Sequence, residues 1–292
     1  MSKASSLYIV GYVLDVGLKQ IGLEGSSWVT DNDSQKMFLT RYFPSMRGVL
    51  EKIREIVSLV SRSADAINTF LAERGFSITV RPFDSRSIGI AAVQDITVEW
   101  KEVGERTTVR AIASGERHPA VRLTKGVNYY TAPGHAHPIA MISTVSGDIV
   151  CMTKLDGYPD SAFALDILAE NLTRTGRMTY VRFGGLVFPM VNLNTDMEMS
   201  WMLGMQLDDS VVTQAVGQFK FRMNEKGARA QSAVAIVTTR AFSAPAPDMV
   251  IDGPFLMWII RPSLGAEQQY VPLCLAHITE KDWSDPGDLS VA

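Results

Sequence analysis

Histidine and cysteine are the residues of this chain whose side chains could bind a metal ion or act as nucleophiles. His135 and His137 are two residues apart, so on a strand they would share a face and could chelate a metal. No third ligand stands at a typical spacing, which favours an ordinary polar pair in a loop. Cys151, between Val150 and Met152, is predicted to be a small core residue rather than a nucleophile. The sequence therefore predicts no metal site.

The sequence motifs of common enzymes are absent from the chain. It has no glycine-rich phosphate loop ending in Lys-Ser or Lys-Thr, no nucleophile elbow and no His-Glu-x-x-His. The methionines at 197, 199, 202 and 205 are interpreted as core packing rather than as a cofactor site. We therefore predict that the protein is not an enzyme and that it needs no cofactor.

Composition narrows the class of protein. The 292 residues include 28 Lys and Arg against 31 Asp and Glu, and 46% are hydrophobic. A net charge of -3 argues against a nucleic-acid partner, while two cysteines and ample apolar content exclude a disulfide scaffold and a disordered chain. The apolar residues 7–18 are interrupted by Asp15 and fall short of the ~20 needed to cross a membrane. No clear signal peptide is present, so the location is left open and an intracellular one is favoured.

The spacing of apolar residues predicts helices early in the chain and mostly strands later. Residues 34–60 are predicted to be helical with a break at Pro44, and a second helix is predicted from its N-cap Ser63 to Arg74. Further helices are predicted after Ser161 and Thr195. Strands are predicted at 87–98, 107–112, 138–152, 181–191, 211–223 and 255–260. The fold class is therefore α+β, with helices packed on large, mostly antiparallel sheets.

Residues 224–250 have an unusual pattern. After Glu-Lys-Gly at 225–227, small residues stand at 228, 230 and 232, and the two-residue spacing continues to Thr238, which is the period of a strand. An alanine-rich helix followed by a proline-rich loop is the alternative, but Gly227 and the β-branched residues weigh against it. We interpret the segment as a long loop that could join a sheet as a strand, because small side chains can enter between strands without a clash or a buried charge.

In this segment and beyond it, the sequence resembles the serpins. Their hinge is a Glu-x-Gly followed by small residues, represented here by Glu225, Gly227, Ala228, Ala230 and Ser232. Their next landmark is a strand that opens Asp-x-Pro-Phe-Leu, represented at 252–256 by Pro254 and Phe255 among others. Trp100 is similar to the tryptophan at the top of the family's main sheet. The resemblance covers most of the chain from about residue 20 onward.

This resemblance implies a single serpin-like domain over residues 1–292. It implies a shortened amino-terminal segment at 1–20, the loss of some amino-terminal helices and an exposed reactive-centre loop at 227–250. The scissile region would include Arg240, Ala241 and Phe242, with cleavage after Arg240 by an Arg-directed protease or after Ala241 by an elastase-like one. The partner would be a protein, with serine and cysteine proteases among the candidates and no membrane involved. The resemblance also suggests a divergent gene, for which a viral source is one of the options.

The sequence departs from the family where the main sheet opens. Gly217 and Ala92 stand at the positions of a histidine and an asparagine that form a polar network there, and the would-be insert carries the bulky Val234 and Ile236. With the shortened amino end, these departures favour a non-inhibitory structural or protein-binding module that keeps the serpin architecture. The nearly uncharged hinge favours the alternative, a suicide-substrate inhibitor whose cleaved loop inserts into the main sheet.

Overall fold

Most of the chain is described by the computed structural model, which covers residues 2–5, 7–22, 27–46, 56–84, 86–95, 98–228, 246–262 and 270–289. The chain divides into two units. The first consists of Lys3–Asp95 and Asn194–Lys220, and the second of Met1–Ser2, Ile96–Leu193 and Phe221–Ala292. One domain over residues 1–292 stays a prediction.

The helices within these ranges have between 4 and 14 residues. They are α1 (Leu7–Gln20), α2 (Asp33–Met37), α3 (Phe43–Met46), α4 (Ala64–Glu73) and α5 (Ala162–Thr175), with a π-helical turn at Phe38–Tyr42 and 3-10 turns at Ser200–Met202 and Glu280–Asp282. Among the described residues, no helix combines the length and the apolar character that crossing a membrane requires.

Strands make up much of the rest of the described chain. The earlier ones are β1 (Lys3–Ser5), β2 (Trp28–Val29), β3 (Ile56–Ser61), β4 (Ser87–Asp95), β5 (Val98–Glu99), β6 (Glu105–Arg110), β7 (Arg117–Leu123), β8 (Val127–Thr131), β9 (Ile139–Ser143) and β10 (Ile149–Lys154). The later ones are β11 (Arg177–Met178), β12 (Leu186–Pro189), β13 (Val191–Asp196), β14 (Gln206–Leu207), β15 (Ser210–Met223), β16 (Gly227–Ala228), β17 (Met249–Val250), β18 (Phe255–Pro262) and β19 (Tyr270–Ile278).

The first unit is built on a sheet in which strands pair in the order β2-β14-β15-β4-β3, with β13 also pairing with β15. β15 and β4 run parallel, while β4 and β3 run antiparallel. Helix α4 contributes the buried Ala64, Ile67 and Leu71 to a core cluster with Val80 and Ala91. The helix begins where predicted, because the Ser63 hydroxyl accepts a hydrogen bond from the Ala66 amide at 3.3 Å.

The second unit contains two larger sheets. In one, strands pair in the order β19-β18-β10-β9-β8-β11, and in the other the order is β17-β12-β7-β6. Residues 255–260 of β18 are buried on both faces, as the sequence predicts. Trp258 and Leu256 of this strand share a core cluster with Leu165, Ala169 and Leu172 of α5.

Two predicted helices are wrong in part. Residues 56–60, predicted as the end of a long helix, belong to β3 and pair with β4, since β-branched side chains also suit a strand. The helix predicted from Thr195 is replaced by the end of β13 and a single 3-10 turn at Ser200–Met202. The methionines of that segment are nevertheless buried, as predicted, at 6% exposure or less.

His277 of β19 makes stability depend on pH. The side chain is buried, Nε2 donates to the Leu155 carbonyl oxygen at 3.0 Å, and burial lowers the histidine pKa. Above the ordinary pKa of about 6.5 both folded and unfolded chains are neutral here, but below it the unfolded chain binds the proton more readily. We expect the free energy of unfolding to fall as the pH drops below about 6.5, toward the lowered pKa of the folded chain.

A His277→Gln variant, which can still donate to the Leu155 carbonyl, tests this dependence. Urea denaturation at a series of pH values should show a shallower decline for the variant than for the native chain. Equal slopes in the two proteins would assign the decline to other groups, such as His135, whose pKa is also lowered by burial.

Candidate functional site

The segment singled out by the sequence begins and ends in the second unit. The structure describes this segment from residue 224 to Ala228 and again from Ala246 to residue 250. Ala230, Ser232 and the scissile region at Arg240, Ala241 and Phe242 lie outside the described residues. The candidate site therefore consists of the two described ends of the segment and their contacts. We call residues 224–228 the hinge turn and residues 246–250 the distal anchor.

The hinge turn reverses the chain just after β15. Asn224 and Gly227 exchange backbone hydrogen bonds of 2.8 and 3.2 Å, and the Asn224 side chain accepts a third from the Lys226 amide at 2.9 Å. After the reversal, Gly227 and Ala228 form β16, which pairs antiparallel with Glu99 and Val98 of β5. The chain thus enters the segment in an extended conformation at Gly227 and Ala228, while the residues that carry the predicted two-residue period after Ala228 lie outside the described residues.

The close pairing of β16 with β5 requires a glycine at position 227. Its φ of +141° is one that residues with a side chain rarely adopt, and an added Cβ would lie 2.4 Å from the Val98 carbonyl oxygen. The backbone of β5 occupies the space where any side chain would stand.

Replacing Gly227 with alanine should therefore loosen the hinge turn. We expect a loss of about 2 kcal/mol in the free energy of unfolding, from the strained φ and the contact with β5. Hydrogen exchange should be faster at the Gly104 amide, which donates to the Glu225 carbonyl at 2.8 Å. Gly253→Ala is the matched control, because an added Cβ there has nothing within 4 Å. Equal losses in the two variants would contradict the account.

Trp100 stabilises the hinge turn. Its indole is buried at 2% exposure, and Nε1 donates to the Asn224 carbonyl oxygen at 3.0 Å. Its backbone amide donates to the Lys226 carbonyl at 3.3 Å, and its ring packs edge-on against Phe188, with 6.0 Å between ring centroids. The residue that the resemblance identified therefore contacts the turn through its side chain and its backbone.

Glu225 faces a basic side chain. One carboxylate oxygen lies 3.5 Å from Nε of Arg106, which also pairs with Asp285. The Asn224 amide group donates to the Gly287 carbonyl oxygen at 3.0 Å. These contacts connect the hinge turn to the residues that follow β19.

The distal anchor depends on a bidentate ion pair. Arg122 donates from Nε and Nη2 to the two carboxylate oxygens of Asp248, at 2.7 and 3.1 Å. This hydrogen bonding raises the pKa of Arg122 above its ordinary value. The anchor continues into β17, which pairs parallel with β12. No local pattern predicts this pair, since its members are 126 positions apart.

Pro254 and Phe255 lie at the start of β18. The Pro254 carbonyl accepts a hydrogen bond from the Leu155 amide at 2.9 Å, and Phe255 is fully buried beside Trp283. Their contacts are those of a strand end and a core residue.

In the first unit, Gly217 and Ala92 are direct partners across β15 and β4. An added Cβ at Gly217 would lie 2.4 Å from Cε of Met197 and 2.7 Å from Sδ of Met199, so two buried methionines fill the space. The parallel pairing runs from residues 214 to 220 on β15 and from 89 to 95 on β4. No strand therefore separates these two over those described residues.

The chemistry-bearing residues of the sequence have ordinary surroundings. Nε2 of His135 lies 2.7 Å from the Thr153 hydroxyl, and its ring centroid is 6.1 Å from that of His137. Cys151 is fully buried, as predicted, and burial raises the pKa of its thiol, as it does for Cys274. Buried neutral thiols are poor nucleophiles.

Comparison with known proteins gives one consistent result. No family model matches the chain, and no curated protein matches it. Solved structures do match. Serpin48 from the insect Tenebrio molitor has 10% identity and a TM-score of 0.51, covering 93% of this chain and 96% of its own.

Two further matches have the same fold. Human thyroxine-binding globulin has 9% identity and a TM-score of 0.56, covering 94% of this chain and 91% of its own. Mouse protein-Z dependent protease inhibitor has 12% identity and a TM-score of 0.51, covering 93% and 87%.

The chain therefore has a serpin-like α+β fold, as the sequence predicts, with large and mostly antiparallel sheets. At these identities the likeness concerns the fold, and the function needs a separate argument from the site.

Proposed function

We propose that this protein is a non-inhibitory member of the serpin-like fold that binds a protein partner and does not open its main sheet. The observation that carries the proposal is the packing at the Gly217–Ala92 pair, where Met197 and Met199 fill the space beside Gly217. The serpin fold occurs both in proteins named as protease inhibitors and in thyroxine-binding globulin, so it is compatible with either role.

The energetics of opening support the proposal. To admit another strand, β15 and β4 would have to give up the backbone hydrogen bonds that join them. Opening would leave Gly217 with Met197 and Met199, because the Met197 amide donates to the Gly217 carbonyl oxygen at 2.8 Å and β13 pairs with β15, so the cost falls on the β4–β15 hydrogen bonds. Since glycine and alanine offer no polar side chain at this point, we infer that the polar network that would assist opening is not formed between these two strands.

The would-be insert supports the same conclusion. Val234 and Ile236 share the two-residue spacing of the small residues before them, so they would face the same side of any inserted strand. Bulky side chains in a packed sheet cost about 1–3 kcal/mol through overpacking. The segment is better suited to contact a partner than to enter the sheet.

The second candidate is a suicide-substrate inhibitor, and the hinge turn favours it. Gly227 and Ala228 already pair with β5 in the antiparallel direction that an inserting strand would take. In this reaction the nucleophile of a protease attacks the carbonyl carbon of Arg240 or Ala241, the peptide bond breaks, and the released amine stays with the following residue. Insertion of the freed loop would then trap the acyl-enzyme.

Denaturing gel electrophoresis after mixing with a trypsin-like and an elastase-like protease separates the two candidates. We expect the chain to be cut near Arg240 or Ala241, with no covalent complex at the summed mass. A complex that survives denaturation would overturn the proposal. The Ala230→Glu variant is the control for such a complex, because a charge in the insert should prevent trapping.

A further inference from the structure

A second cluster of side chains lies in the second unit, away from the predicted sites. Glu116, His118 and Glu280 each place one potential ligand atom within 4.8 Å of the others. Glu116 and His118 come from the turn and first residues of the β6–β7 hairpin, and Glu280 opens the 3-10 turn after β19. Because residues two apart on a strand share a face, the hairpin presents its two side chains together toward Glu280.

The histidine is held in one orientation by groups outside this cluster. Its Nδ1 lies 3.2 Å from the Trp283 carbonyl oxygen, and its ring meets the Trp283 ring edge-on with 5.4 Å between centroids. A carbonyl can only accept, so Nδ1 carries the hydrogen and the neutral ring has its lone pair on Nε2. An Nδ1 donation to a backbone carbonyl is the usual way in which proteins orient a metal-binding histidine.

The lone pair on Nε2 of His118 faces a second hydrogen-bond acceptor, a carboxylate oxygen of Glu280. Nε2 of His118 lies 2.9 Å from Oε1 of Glu280, and His118 is only 15% exposed. Two lone pairs repel at such a distance, so the pair needs a cation, either a proton or, once the two atoms have moved apart to about 3.3 Å, a metal ion.

Ser114 forms hydrogen bonds with both glutamates of the cluster. Its hydroxyl accepts a hydrogen bond from the Glu116 amide at 3.0 Å and donates its own hydrogen to Oε1 of Glu280. The serine therefore connects the backbone of one glutamate with the carboxylate of the other. Glu280 still has a second carboxylate oxygen that could take part in binding.

We propose that Glu116, His118 and Glu280 form a binding site for a divalent transition metal of the zinc class. One imidazole nitrogen and two carboxylates are donors that zinc accepts in a tetrahedral site, with water in the fourth position. A dication balances the two negative charges, and an imidazole ligand disfavours magnesium and calcium. Ligand atoms in such a site are about 3.3 Å apart, so small side-chain movements suffice here.

No sequence motif predicts this site, because its ligands are separated along the chain. His118 and Glu280 are 162 positions apart, and Glu116 with His118 alone gives only a two-residue spacing. The bound metal would join the β6–β7 hairpin to the turn after β19. The inference does not depend on the loop segment or on the proposed function.

Titration calorimetry with zinc chloride tests the site, using the full chain stripped of metal in a buffer that does not chelate. We expect one zinc ion per chain, with the Kd raised at least about tenfold in His118→Gln and in Glu280→Gln. Glu116→Gln should also weaken binding, and because Glu116 is exposed this variant keeps its fold. The matched control is the double variant His135→Gln/His137→Gln, which should bind zinc as the native chain does.

Two spectroscopic measurements test whether His118 is a ligand of the bound metal. Zinc should move the nitrogen NMR signal of Nε2 of His118, and cobalt in its place should give visible absorption bands that the His118→Gln variant lacks. Failure of the native chain to bind zinc would mean that a proton occupies the position, and would overturn the proposal. Binding that persists in His118→Gln and Glu280→Gln, or that is lost in the double histidine control, would also overturn it.

Discussion

Replacing Trp100 with alanine is expected to lower the free energy of unfolding by about 3–5 kcal/mol, as for other buried aromatic side chains. The indole is 2% exposed, donates to the Asn224 carbonyl and packs edge-on against Phe188. Its removal leaves a cavity beside the hinge turn and takes one of two hydrogen bonds from the Asn224 carbonyl, which keeps the one from the Gly227 amide at 3.2 Å. Urea denaturation measures the loss, and hydrogen exchange at the Gly227 amide should report the loosened turn.

The Trp100→Phe variant separates packing from hydrogen bonding. It retains an aromatic ring but cannot donate to Asn224, so we expect a smaller loss of about 1–3 kcal/mol. If the alanine variant loses less than about 1 kcal/mol, the packing of Trp100 does not hold this region.

Replacing Arg261 with methionine should have a comparable effect on stability. Arg261 donates from Nε and Nη2 to the two carboxylate oxygens of Asp148 at 2.7 and 2.9 Å, and Asp148 is only 3% exposed. Without its partner, the buried carboxylate is uncompensated, and such losses cost about 3–5 kcal/mol. Arg261 is itself 30% exposed, which places the expectation near 3 kcal/mol, the lower end of that range.

A second variant identifies the cause of that loss. Adding Asp148→Asn to Arg261→Met removes the stranded charge, so the double variant should recover part of the stability. Lys154→Met is the matched control, because its pair with Asp252 is about one quarter exposed on each side and should be worth less than about 1 kcal/mol. A larger loss in the control than in Arg261→Met would contradict this ranking.

Local patterns in the sequence predicted much of the fold. The serine N-caps at Ser63 and Ser161 each accept a backbone hydrogen bond at the start of their helix. The uniformly apolar residues of β18 are a buried strand. At the Glu-x-Gly hinge, Gly227 pairs with Glu99, and the role of the hinge stays a prediction.

Other features required information that no local pattern carries. Residues 56–61 fit either a helix or a strand, and pairing with β4 makes them a strand. The ion pair of Arg122 with Asp248 joins residues 126 positions apart, and the two methionines beside Gly217 reach it from a different strand and turn. Chain topology brings these groups together.

Melting the protein before and after its loop is cut shows whether the sheet opens at the β4–β15 pair. A protease site placed at 240–242 allows one cleavage, and calorimetry records Tm for the intact and the nicked chain. If the sheet stays closed, the two values should agree within about 3 °C, because no inserted strand adds stability. An upward shift of tens of degrees, absent in the Ala230→Glu variant, would mean that the loop had entered the sheet and would contradict the account.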